Sequence, residues 1–362
     1  MGFLDSLLKR RLVGLDIGIS GIKAVEIGGS TKSPRLLAYN RVPLPWNAIG
    51  IDGEIRDRNV VVNALKKLFE GSQFSTKKVA VGAAGNSVIT KKITVPKMTA
   101  EELGHQLYFE AEQYIPFNVT EVNLDFAILG THPGTNSNTP SMDVLIVAAK
   151  KEYIESLSTL VEAAGLVPEV IDNQAFALGN SFEFNYGYLV NGAGGAGATS
   201  VIIDFGAGTT KISVVEGDKT TFSRELRQCG VACTAMLSER LGIPADQAER
   251  VKITEGNTPA IKSILAEYVS ALVEEISRTL DFSISQSSER SIQGIYVCGG
   301  ASRTEGLIAA MESRLPAPVQ PLNPIQNIAG SGRRMNAQAI RELSYLGAVA
   351  IGLSLRTAGD SE

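Results

Sequence analysis

The sequence of 362 residues is too long for one ordinary core and suits two or more domains. With 44% hydrophobic and 20% charged residues it is a globular composition, and its formal charge of 34 minus 38, or −4, gives no bulk attraction to nucleic acid or an anionic membrane. No apolar run approaches the roughly 18–20 residues of a transmembrane helix, the nearest (345–355) being about half that length and broken by glycine.

The N-terminal MGFLDSLLKRR sets its positive charges behind a very short apolar stretch, the reverse of a signal peptide, so a cytosolic location is expected. Phe3, Leu4, Leu7 and Leu8, followed by Lys9, Arg10 and Arg11, read as a docking arm too short for more than weak membrane contact. Leu12, Val13 and Leu15 then lead into D-I-G-I-S-G-I-K (16–23), and Ile22, Ala24, Val25 and Ile27 lead away: strand, tight turn, strand. Residues 79–150 read as a small module, opening with two strand-like stretches around the Gly-Asn turn at 85–86. Thr99-Ala-Glu-Glu102 is a capping box for a helix with Leu103, Leu107 and Tyr114 inward and Pro116 at its end. Ile115 and Phe117 join Tyr114 as core candidates. Strands over 122–129 and 142–149 flank a polar loop, 131–141, whose His132 is expected to be exposed and neutral in role.

Residues 170–178 read as a strand passing into a helix, where Asp172 and Gln174 are candidates to position a water and Asn173 is an ordinary helix cap. The Gly/Ala-rich run 191–198 lacks the Lys-Ser/Thr ending of a phosphate loop and reads as a connector. Then D-F-G-A-G-T-T-K (204–211) repeats the earlier template, Asp-x-Gly-x-x-x-x-Lys, between Val201, Ile202, Ile203 and Ile212, Val214, Val215. Two matches in one strand-turn-strand context predict two related halves, each offering a hairpin turn to something between them. Gly18, Gly206 and Gly208 would let backbone N–H groups approach an anion, and Ser20, Thr209 and Thr210 add hydroxyls at the rim. Asp16 and Asp204 would repel phosphate without a cation between, so they imply Mg²⁺ held largely through water. The competing reading is a pair of ordinary β-turns.

Beyond the second hairpin, Cys229 and Cys233 have no His at metal-ligand spacing and read as small buried thiols. A helix after Pro244 puts Glu249 and Lys252 on one face, as a solvated ion pair or as ligand contacts. A long helix over 259–288, with Ile261, Ile264, Leu265, Tyr268, Leu272, Ile276 and Leu280 at 3–4 spacing, reads as core. Ile295, Tyr296 and Val297 form a strand into Gly299–Gly300, with a helix expected from Thr304 through Leu307, Ile308 and Met311. A Gly-Gly turn there suits the flat face of a base or sugar.

Together these motifs resemble the actin-like ATPase superfamily, which takes in actin, the heat-shock chaperones, sugar kinases and bacterial FtsA. The family's phosphate-1 loop corresponds to 16–23 and its phosphate-2 loop to 204–211. Its adenosine motif corresponds to Gly299, Gly300, Ala301 and Ser302, and its Ala-Glu-x-x-Lys signature to 248–252. The resemblance implies an α/β chain of actin-like (ribonuclease H-like) duplicated domains binding ATP and Mg²⁺. Its cofactor-binding residues would be Asp16, Gly18, Ser20, Lys23, Asp204, Gly206, Gly208, Thr209, Thr210, Lys211, Glu249, Lys252, Gly299, Gly300 and Ser302, with Asp16 and Asp204 toward the metal.

The segment Glu110-Ala-Glu-Gln-Tyr-Ile-Pro-Phe117, with Thr120 to Asp125 after it, is similar to the PilM family of type IV pilus assembly proteins, an FtsA-like branch carrying an inserted 1C subdomain. That resemblance covers about residues 12–355. It implies subdomain 1A over 10–80, 150–190 and 340–355, 1C over 81–149, 2A over 199–235 and 290–339, and a 2B-type subdomain over 236–289. It further implies an adaptor that recruits the cytoplasmic N-terminal peptide of a PilN-like inner-membrane protein, with slow or no ATP hydrolysis, other pilus components as partners, and self-association. A small-molecule kinase on the same fold, which would need a catalytic Asp, and an FtsA-like filament former are the alternatives.

Overall fold

Each glycine hairpin begins a five-stranded sheet. In the computed structural model, which describes residues 11–30, 33–71, 74–133, 140–191, 199–217, 219–256, 258–285, 291–328 and 335–359, β1 (Val13–Gly18), β2 (Gly21–Ser30) and β3 (Ser33–Pro43) are successive antiparallel strands. On its other side β1 pairs parallel with β4 (Lys78–Ala83), and β4 with β8 (Val167–Asn173). The antiparallel trio recurs as β9 (Thr199–Phe205), β10 (Thr210–Glu216) and β11 (Lys219–Leu226), and the parallel pair as β12 (Ile292–Cys298) and β13 (Val319–Pro321). The orders β3-β2-β1-β4-β8 and β11-β10-β9-β12-β13 are one topology written twice, as the repeated template predicts. The N-terminal arm through Arg10 and residues 192–198 of the Gly/Ala-rich run lie outside the described residues.

The outer face of the first sheet is covered by α1 (Arg58–Phe69) and α3 (Lys151–Ala163), whose Val61, Leu65, Leu68, Leu157 and Leu160 pack on Val13, Leu15, Ile22 and Val81. The second sheet is covered by α5 (Gly230–Leu241), α7 (Pro259–Ser285) and α8 (Leu307–Arg314). Of the apolar positions read from 259–288, all but the half-buried Ile264 are buried, so α7 packs into the core along its length.

Between the sheets lie α4 (Gln174–Asn191) and α10 (Ala348–Ser354). Leu178, Phe182 and Tyr186 of α4 pack on Ile202, Val215 and Tyr296 of the second sheet. α10 lies on the first sheet so closely that a Cβ on Gly14 would stand 1.9 Å from the Ala350 carbonyl oxygen. A Cβ on Gly352 would stand 1.7 Å from the Ala177 carbonyl oxygen, so the two helices also meet backbone to backbone. The halves are thereby joined through a shared helical layer.

The inserted module is smaller than residues 79–150. Its first strand, β4, belongs to the first five-stranded sheet, because Val79 and Val81 are buried against α1 and α3. What remains is a three-stranded sheet, β5 (Val88–Pro96), β7 (Ser141–Lys150) and β6 (Val122–His132), packed on α2 (Ala100–Glu110). The capping box forms: Thr99 Oγ1 accepts the Glu102 N–H at 3.2 Å while the Glu102 carboxylate accepts the Thr99 N–H at 2.8 Å. The helix stops at Glu110, six residues before Pro116, because Ala111–Gln113 tightens into a 3₁₀ turn that buries Ala111 and Ile115. His132 is not neutral in role. It ends β6 and hydrogen-bonds the Asp143 carboxylate at 3.0 Å, beside Lys92 at 2.9 Å and Thr94 at 2.7 Å.

Candidate functional site

The antiparallel register aligns each template aspartate with its lysine. Asp16 stands opposite Lys23 across the first hairpin and Asp204 opposite Lys211 across the second. Lys23 Nζ lies 2.5 Å from Asp16 Oδ2, and Lys211 Nζ 3.8 Å from Asp204 Oδ2, with all four side chains largely buried. The turns touch one another: a Cβ on Gly208 would stand 2.4 Å from Ile19 Cδ1. A Cβ on Gly18, by contrast, would meet its neighbours at ordinary contact distance, the Gly21 carbonyl oxygen at 3.4 Å and Lys23 Nζ at 4.0 Å. Burial by itself would lower the pKa of Lys211, but the carboxylates of Asp204, Glu225 and Asp16 outweigh it and hold the lysine above its ordinary value.

The third turn comes to the second hairpin. Gly299 has φ +88°, and a Cβ there would stand 2.3 Å from Asp204 Oδ1 and 2.4 Å from the Phe205 carbonyl oxygen. The neighbouring Cys298 is buried and its thiol pKa is pushed well up by burial and by the Asp204 carboxylate. Gly300–Arg303 forms a 3₁₀ turn and the regular helix begins only at Leu307, later than Thr304, because Gly306 takes φ +79°.

The start of α5 is tied into the second hairpin, since the Gly230 and Val231 N–H groups donate to the carbonyls of Gly206 and Ala207 at 3.0 and 2.9 Å. From α6 (Ala245–Thr254), Lys252 reaches back to the Gly230 carbonyl (2.9 Å), Thr234 Oγ1 (2.8 Å) and Glu249 Oε2 (2.6 Å). Thr234 also donates to Glu249. The Glu249–Lys252 pair is therefore a half-buried brace between two helices rather than a solvated surface pair. Cys229 and Cys233 beside it are buried thiols, Cys233 being pushed up to about 11 by burial.

These elements enclose one cavity of about 810 Å³. Of the fifteen cofactor-binding residues that the resemblance implied, all but Thr210 and Ser302 line it. Thr210 is fully buried and donates its hydroxyl to the Gln228 carbonyl at 2.6 Å, and Ser302 donates to the Gly299 carbonyl at 2.7 Å, so both satisfy the turns themselves. Gln174 lines the cavity, with Nε2 3.4 Å from the Gly82 carbonyl oxygen. Asp172 does not line it and lies 3.6 Å from Arg356 Nε, so it does not position a water there. Asn173 caps α4, its Oδ1 accepting the Ala175 N–H at 2.8 Å. Among the described residues no group of three His, Cys, Asp or Glu side chains forms a metal cage. A cation here would have to be shared between Asp16, Asp204 and an anionic ligand.

Sequence reasoning missed the third member of each charged row. Arg41 of β3 is the register partner of Lys23, and Glu225 of β11 that of Lys211, and both line the cavity. It also missed Trp46 and Ile51, exposed apolar residues on the cavity wall contributed by the segment after β3. The local sequence carries no signal for either, because strand pairing decides which residues share the wall.

A family model described as Type IV pilus assembly protein PilM matches residues 14–358. The chain belongs to that family. A chain of a solved PilM-PilN type IV pilus biogenesis complex is 29% identical, with a TM-score of 0.82 over 96% of this chain and 98% of that one. Ethanolamine utilization protein EutJ from Carboxydothermus hydrogenoformans is 16% identical, with a TM-score of 0.55 over 95% of this chain and 89% of that one. MreB 5 of Spiroplasma citri bound to AMPPNP is 13% identical, with a TM-score of 0.50 over 88% and 93% of the respective chains. The fold is thus actin-like, as the duplicated sheets indicate. Among the described residues no helix is long and apolar enough to cross a membrane.

Proposed function

We propose that this chain is a nucleotide-holding adaptor of type IV pilus assembly, recruiting the cytoplasmic N-terminal peptide of a PilN-like inner-membrane protein and associating with the membrane through that partner. The observation that carries this reading is the likeness, over nearly the full length of both chains, to a protein solved as part of a PilM-PilN complex. In this reading the peptide would lie as an extended segment between the inserted three-stranded sheet and the first half.

The cleft fits Mg-ATP. The hairpin turns line the cleft, and Asp16 and Asp204 are already neutralised by lysines. On binding, the carboxylates would turn to the cation and the ammonium groups to the phosphates, an exchange that keeps every charge paired. The nucleoside would lie toward Gly299, Gly300 and the Glu249–Lys252 brace. Bound nucleotide would hold the halves in one relative position and so shift the population that a partner meets.

Hydrolysis is expected to be slow or absent. Gln174 is the polar group in place at the strand-to-helix junction, and it already leans on the Gly82 carbonyl. The subdomain limits read from the sequence are part of this proposal, with the 1C boundary moved to follow β4. Calorimetric titration of the chain with the cytoplasmic N-terminal peptide of its PilN-like partner, with and without Mg-ATP, tests the reading. Saturable 1:1 binding is expected, and its absence in both conditions would overturn the adaptor function.

A further inference from the structure

The two charged rows are not equivalent. In the first, Asp16, Lys23 and Arg41 sum to −1 +1 +1, or +1, and in the second, Asp204, Lys211 and Glu225 sum to −1 +1 −1, or −1. The two three-residue rows, though not the cavity walls as wholes, therefore carry opposite net charge although their strands are duplicates. Lys23, Lys211 and Lys252 each have a carboxylate within 4.0 Å. Of the arginines on the cavity wall, Arg227 and Arg303 are exposed to solvent, and Arg303 lies over the Tyr345 ring at 5.1 Å. Arg41 is different: it is half-buried, and its Nε is buried without a hydrogen-bond partner among the described residues.

A second unsatisfied group stands two residues away on the same face of β3. The Tyr39 hydroxyl is also buried without a hydrogen-bond partner, in surroundings that include Glu342, Arg41, Tyr345 and Asp16. Native interiors seldom leave such donors unmet, and Arg41, which lines the cavity, is placed to be completed by an acceptor bound there. A guanidinium is suited to that acceptor being a phosphate, since its fork of N–H groups can meet two oxygens at once. Asp16 and Asp204, one from each hairpin, remain the carboxylates suited to the cation that accompanies the phosphates.

We infer that Arg41 is an anion-binding residue of the cleft, its guanidinium taking phosphate oxygens of the bound nucleotide. This rests on the reading of the cleft as a nucleotide site, and it adds a contact: a phosphate lies beside the first hairpin's row, within reach of Arg41. The test is calorimetric titration of wild type, Arg41→Gln and Arg41→Lys with Mg-ADP and Mg-ATP, together with adenosine affinity from competition against a labelled ADP. Arg41→Gln is expected to weaken both nucleotides about tenfold and leave adenosine unchanged, the loss expected for one charge-assisted contact. Arg41→Lys keeps the charge but not the fork and should lose about threefold, which serves if the glutamine variant does not fold. Unchanged nucleotide affinity in the variants, or an equal loss for adenosine, would overturn the role of Arg41 while leaving the cleft intact. A wild-type chain that bound no nucleotide would instead remove the cleft reading, and this inference with it.

Discussion

Lys23 lies directly opposite Asp16 across the first hairpin, Nζ to Oδ2 at 2.5 Å, and Lys211 repeats the relationship to Asp204 at the longer distance of 3.8 Å. Asp204 also faces the third turn, where its Oδ1 stands 2.3 Å from where a Cβ on Gly299 would be and its carboxylate meets the Cys298 thiol. Each pair closes its own hairpin, so the ions that would hold a Mg-nucleotide also brace the two turns that face one another.

The Asp16–Lys23 pair should accordingly affect stability and ligand binding through separable terms. Asp16→Ala leaves a buried ammonium group uncompensated, and urea denaturation should show a loss of about 3 kcal/mol. Adding Lys23→Met should recover most of that loss, because the double variant buries no charge. Mg-nucleotide affinity should fall in the single variant and not return in the double. Recovery of binding along with stability would mean that the pair acts only as a structural brace.

A second prediction concerns the contact of the inserted sheet with the edge strand of the other half. Lys219 Nζ donates to the Ile128 and Leu129 carbonyls at 3.3 and 3.1 Å, and Thr90 Oγ1 lies 2.5 Å from Ser223 Oγ. Nearer the cleft, the Gly85 N–H donates to Glu225 at 3.2 Å. These bonds cross from the first half to β11, so any movement of the halves must carry or break them. The double variant Thr90→Ala/Ser223→Ala should still bind Mg-ATP and partner peptide separately. The change in peptide affinity produced by Mg-ATP should shrink in it, and an unchanged difference would show that the contact plays no part in coupling the two.

The inserted sheet also carries a titratable brace. Burial alone would raise the pKa of Asp143, but hydrogen bonds from Thr94, Lys92 and His132 outweigh it and hold the carboxyl below its ordinary 3.8. A depressed carboxylate contributes stability above its ordinary value and loses it as pH falls through the folded-state value. Asp143→Asn should therefore be less stable than wild type at neutral pH, with the gap closing as pH drops below about 3.8 in denaturation curves taken pH by pH. A gap independent of pH would assign the effect to packing.

Much of the cleft was legible because its signals are local. A glycine turn between alternating apolar runs is specified by about eight consecutive residues, and both occurrences formed hairpins with Asp and Lys in register. The capping box at Thr99 and the long apolar stripe of α7 were legible for the same reason. Boundaries were less so: Val79 to Ala83 reads as a strand either way, and only its pairing with β1 and β8 assigns it to the first half.

The sequence by itself determined that the chain is duplicated, that each copy presents a glycine hairpin with one carboxylate and one lysine, and that a third glycine turn follows. All three are properties of short segments whose backbone demands specific residues. The tertiary structure decided which neighbours share the cavity wall. It turned Thr210 and Ser302 inward to satisfy their own turns, took Asp172 away to Arg356, and brought Arg41 and Glu225 beside the two lysines. Strand register is a long-range choice made by burying whole faces at once, so the third charge of each row joins its lysine only once the sheets have formed.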